Sequence, residues 1–191
     1  MHRVILLAAR VMAFFGGVVL CALILLTCVS VLGRSLNGFI FADWDNSALT
    51  ALAQWMRDIG VGSINGDYEL VEAGIAFAIF AFLPLCHLTG GHARVDIFTS
   101  RMSPRTNRVL AMLSGVVFAL VMGLITVQLA AGMFSKMGSG QTTFLLEFPV
   151  WWAYACSLVG ALLAAIVATY LAVVRMIEMI KGRTILPEGD T

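Results

Sequence analysis

The chain has 191 residues, 60% apolar and 12% charged, with a formal net charge of +1 and a mean hydropathy of +0.95. A soluble domain carries about 25% charged residues, and disorder needs low hydrophobicity with high net charge, so both classes are excluded. The balanced charge also lacks the basic excess that nucleic-acid binding requires.

What remains is an all-α integral membrane protein. Lipid offers backbone groups no hydrogen-bond partner, so a crossing needs about 20 mostly apolar residues in helix. The first candidate, 11–32, is uncharged and exceeds the apolar core of a cleavable signal peptide, so it reads as a retained anchor. Residues 36–67 form the longest connection. Within it, Leu49, Leu52, Trp55, Met56 and Ile59 recur near helical spacing. This predicts an amphipathic helix at about 47–59, lying on the outer membrane surface with Trp55 at headgroup depth.

The second span, 68–88, has a clean apolar run only over 73–88 and includes the turn carrying Glu69 and Glu72. Charge at that depth needs water at the membrane edge or a basic partner, including one on another subunit. Pro84 removes the N–H that would bond the Phe80 carbonyl, so a kink is expected there. Gly90 and Gly91 end the helix. The following loop, 89–108, contains His92, Arg94, Asp96, Arg101, Arg105 and Arg108, whose arginines suit phosphate headgroups. Ser103 and Pro104 then restart a helix as cap and first residue.

The third span, 109–135, is uncharged and contains Gln128, a side chain suited to bonding across helices. The fourth, 148–174, carries two adjacent rows of small residues. One contains Ser157, Ala161 and Ala165, and the other Gly160, Ala164 and Ala168. Close packing drives helix association in lipid, so this face marks a contact, either within the chain or with another subunit. Residues 181–191 form a polar tail.

Nine of the 12 Lys and Arg residues fall in the N-terminal tail, the 89–108 loop and the C-terminal segment. The positive-inside rule therefore expects both termini and that loop in the cytoplasm, with the 36–67 connection in the periplasm. Four scattered cysteines without a CxxC pair read as small core residues. No nucleotide loop, hydrolase elbow or metal-ligand spacing occurs, so neither enzyme activity nor a cofactor is expected. His87 and His92 sit at one helix end, poorly placed for axial haem ligation within a bundle.

Several landmarks follow one another in order. Gly33-Arg34 closes the first span, and Glu69, with Glu72 as a rival, precedes the second. Gly91-His92-Ala93-Arg94-Val95-Asp96 is followed by Ser103-Pro104-Arg105. Gln141-Thr142-Thr143 then leads into Phe148-Pro149-Val150-Trp151-Trp152-Ala153-Tyr154. In these features the chain resembles the small membrane subunit, DctQ type, of tripartite ATP-independent periplasmic (TRAP) transporters. The resemblance implies a multi-pass protein of the bacterial inner membrane. Its partners would be a large permease subunit and a periplasmic substrate-binding protein, in ion-gradient-driven, usually sodium-coupled uptake of an organic acid. It implies a bracing role for this subunit, with substrate and ion sites on the partner. Candidate contacts are then Glu69, Glu72 and the small-residue face, with the Trp55 helix on the outer surface and the basic loop on the inner face. The alternative class is the membrane anchor of a respiratory or redox complex.

Overall fold

The computed structural model describes residues 2–40, 65–91 and 103–181, together with Trp55. Four helices account for most of them: α1 (His2–Ile40), α2 (Asp67–Leu88), α3 (Pro104–Ser139) and α4 (Trp151–Lys181). Each is long and apolar enough to cross a membrane. At 1.5 Å per residue, α2 measures about 33 Å and the others about 46 to 58 Å, against about 30 Å of hydrocarbon.

The helices outrun the apolar stretches that announce them. An apolar run marks what hydrocarbon covers, whereas a helix continues through the interface until something breaks its ladder. For α3 both stops are visible. Ser103 accepts the Thr106 N–H at 3.3 Å, with Pro104 opening the helix, and Gly140 closes it at φ 61°. At the end of α2, Thr89 and Gly91 return their N–H groups to the carbonyls of Leu85 and Cys86 at 3.0 and 2.9 Å. Helix α4 starts only at Trp151, because 141–150 make bonds of their own. The N–H of Thr143 reaches Phe148 O at 2.8 Å, and that of Val150 reaches Gln141 O at 3.0 Å. Pro84 is fully buried inside α2, which runs on through it to Leu88.

Helices α2, α3 and α4 converge on a core of Met122, Ala164 and Ala168, against which Phe80, Leu83, Phe118 and Ile125 pack. Helix α1 flanks this group. It leans along α2 and touches α4 only slightly. Its buried residues include Ala9, Ala13 and Gly16; Gly16 lies against Ala78 and Ala81 of α2, and Leu23 sits against Gly74. Small residues on both sides bring the two backbones close, which is how helices associate where lipid is as apolar as the side chains. The start of α1 and the later part of α4 lie at the same end of the molecule, since the His2 and Tyr170 rings are 6.2 Å apart.

Most large apolar side chains outside these seams are exposed, among them Phe14, Leu25, Leu120 and Leu124. In water such a surface would be an aggregation site; in a bilayer it is the lipid-facing or partner-facing surface.

Candidate functional site

Among the described residues, the densest polar cluster lies where α2 begins, at the end opposite the start of α1 and the end of α4. Gly66 takes a left-handed conformation, φ 83°, immediately before the helix. The turn brings Asp67 under α1, where its carboxylate accepts the Ser30 hydroxyl and the Arg34 guanidinium, each at 2.5 Å. Arg34 also donates to Ser30 Oγ at 3.1 Å. Asp67 further accepts the Tyr68 N–H at 2.9 Å, so its charge also sits at the positive end of the α2 dipole. One carboxylate therefore ties α1 to α2 and starts α2.

Two residues later, Glu69 makes the second tie. Its oxygens accept the N–H groups of Leu145 and Leu146 at 2.8 and 3.0 Å, and the residue is buried. The loop it holds is also closed on itself, since the Phe148 N–H donates to Thr143 Oγ1 at 3.1 Å. Glu147 takes the left-handed region at φ 51°. Nearby, Lys136 Nζ donates to Gln141 Oε1 at 2.6 Å. The result is a fixed apolar tip, Phe144-Leu145-Leu146, with Phe144 88% exposed. Just beyond it Trp151 and Trp152 pack edge to face at 5.7 Å, and rings of this kind favour the membrane–water interface.

The small-residue face of α4 is occupied within the chain. Ser157, Gly160, Ala161, Ala164 and Ala168 are buried and Ala165 is partly buried, turned toward α2 and α3. Gly160 lies on Phe80 of α2, where a Cβ would come within 2.9 Å of the Phe80 carbonyl carbon and 3.1 Å of its oxygen. That carbonyl is the one Pro84 leaves without a helical donor. The exposed carbonyl and the residue without a side chain therefore meet, and weak Cα–H···O contacts are common at such helix crossings. On the α3 side, Thr126 donates to Ala161 O at 3.2 Å and to Met122 O at 2.8 Å.

Other expected sites fall differently. Glu72 is exposed. Trp55 is also exposed, whereas Leu52 and Met56 on the same amphipathic segment lie outside the described residues. So do His92, Arg94, Asp96 and Arg101 of the basic loop, while Arg105 is exposed and Arg108 half-buried at the start of α3. His87 stacks on Phe118, ring centroids 4.1 Å apart. At the same end Arg175 and Glu178 pair at 3.2 Å on successive turns of α4. Among the described residues, no group of three His, Cys, Asp or Glu side chains is placed to hold a metal.

Sequence reasoning singled out Glu69 but missed the Ser30–Arg34–Asp67 cluster. The available signal was an acidic residue directly after a glycine at a helix start, facing an arginine at the end of the preceding span.

The fold and this site define a membrane protein with four helices fit to span the bilayer, whose buried polar groups knit its own helices and loop together. The family described as "Tripartite ATP-independent periplasmic transporters, DctQ component" matches residues 48–179, more than half of the chain. The chain belongs to that family, and it is accordingly a membrane component of a tripartite transporter, located in the bacterial inner membrane. Helix α1 precedes the matched region. No curated protein and no solved structure matches the chain.

Proposed function

We propose that this subunit braces a large permease subunit during ion-gradient-driven, sodium-coupled uptake of an organic acid delivered by a periplasmic binding protein. The observation that carries the reading is the family match across α2, α3, α4 and the loop between α3 and α4. The internal ties support a bracing role: Asp67, Glu69, Thr126 and Gly160 join the helices of this chain to one another. In this reading both termini and Arg105 face the cytoplasm, and the Glu69-held tip faces the periplasm, consistent with the distribution of basic residues. The Trp55 segment and the tip Phe144-Leu145-Leu146 then lie on the outer face, where the binding protein arrives.

The test is co-expression with the large permease subunit, purification in mild detergent and uptake of candidate carboxylates into proteoliposomes under a sodium gradient. The expected result is a stoichiometric complex, with uptake that fails when this chain is omitted. A large subunit that transports equally well alone would overturn the bracing role. Labelling of single cysteines at Ser139 and Arg105 from opposite sides of the membrane checks the orientation.

A further inference from the structure

The geometry points to the Gln128 face of α3 as the seam where a transmembrane helix of the large permease subunit docks. That helix would present a hydrogen-bonding side chain at the level of Gln128. The inference rests on the bracing role proposed above and adds the face of the subunit that performs it.

Depth comes first. On α4, Tyr154 faces Gly132 of α3 and the Ala161 carbonyl bonds Thr126, so Gln128 lies between those two levels. That is about 10 Å from the Trp151–Trp152 level at 1.5 Å per residue, well inside hydrocarbon about 30 Å thick. The side chain is exposed and makes no hydrogen bond to any described residue. Exposed hydroxyls in other spans behave otherwise. Thr27 and Thr169 each donate to the carbonyl four residues before, at 2.8 Å. A glutamine amide has two donors and two acceptor sites, and lipid chains satisfy none of them, so a partner is required.

The pattern along the helix indicates what kind of partner. Ser114, Gln128 and Ser135 bring exposed polar side chains to one stripe of α3, whereas the row beside it, Leu113, Leu120, Val127 and Phe134, is also exposed but wholly apolar. Lipid chains leave such polar groups unanswered, whereas a facing helix can hydrogen-bond them, so the polar row and not the apolar one is the side for a second helix. The small-residue face of α4 is already filled by α2 and α3, so it does not compete for this role. The chain is one component of a tripartite transporter, in the bracing role proposed above it meets the large permease subunit, and this stripe carries an unanswered amide at hydrocarbon depth.

The experiment uses the full complex in membranes. A photo-crosslinking amino acid is placed at Val121 or Gln128, and separately at Val127 or Phe134, which are exposed on the other flank of α3. Adducts are identified by mass and peptide sequencing. We expect adducts to the large subunit from Val121 and Gln128 and none from Val127 and Phe134. Gln128→Leu should lower retention of the large subunit about threefold, and roughly twentyfold at most, given the measured range for hydrogen bonds between membrane helices; Gln128→Asn should restore part of it. Adducts between two copies of this chain, adducts from the control flank alone, or no adducts while the wild-type complex stays intact would overturn the inference. Failure of the wild-type chain to hold the large subunit would instead overturn the bracing role.

Discussion

Glu69 and Leu146 fix each other in two ways. The carboxylate accepts the Leu146 N–H at 3.0 Å, while the Leu146 side chain fills the space beside Gly66, three residues before Glu69. Charge and shape thus position the same loop residue. Replacing Glu69 with Gln removes the charge that strengthens both backbone bonds. Amide exchange at Leu145 and Leu146 should then rise on the order of tenfold, with exchange in the α3–α4 core unchanged. Hydrogen exchange read by mass spectrometry checks this, and unchanged protection at the tip would show that the loop holds itself.

Gly66→Ala meets two penalties. The left-handed backbone costs an alanine about 1–2 kcal/mol, and the added Cβ would lie 2.6 Å from Leu146 Cγ. The double variant Gly66→Ala/Leu146→Ala should recover the steric part and leave the backbone part. Unfolding midpoints in mixed micelles separate the two contributions, and full recovery would mean that the backbone term is absent.

Gly160→Ala places a methyl group against the Phe80 backbone, which cannot swing aside as a side chain tip can. A loss of about 1–3 kcal/mol is expected. Gly123 offers the control. It lies in α3 and a Cβ there meets nothing within 4 Å, so Gly123→Ala should stay within about 0.5 kcal/mol of the parent. Equal effects at the two positions would contradict the packing described for α2 and α4.

Thr126→Val keeps the side-chain shape and removes the donor to Ala161 O. Hydrogen bonds between membrane helices average about 0.6 kcal/mol and reach about 1.7 kcal/mol. Because Thr126 Oγ1 also reaches Met122 O in its own helix at 2.8 Å, the lower figure is expected. A loss well beyond the upper figure would mean that the hydroxyl supports more than this one crossing.

The four helices were legible from the apolar runs because hydrocarbon thickness imposes a minimum length that sequence cannot hide. The cap at Ser103 and the stop at Gly90 were legible for the same local reason: each is specified by a backbone need and the residue type that meets it. The site was legible only in part. Glu69 stood out as a charge beside a span, but its partners are backbone N–H groups 76 and 77 residues away, and backbone groups leave no mark in a sequence. Asp67 and Ser30 are 37 residues apart on two helices, so their pairing depends on how α1 rotates against α2. The small-residue face of α4 was visible as a contact, yet only the packed helices reveal that Phe80 and Met122 fill it.

The packing order bears on how the protein is made. Helices adjacent in the chain, α1 with α2 and α3 with α4, are also packed in space, whereas the α2–α4 crossing joins the two pairs. A route in which each pair inserts as a hairpin before the pairs meet leaves the Gly160–Phe80 crossing as the last seam to close. A bulky residue at Gly160 should therefore yield inserted, helical hairpins that fail to join, a biogenesis defect that protease resistance of the whole chain would register while helix content remained intact.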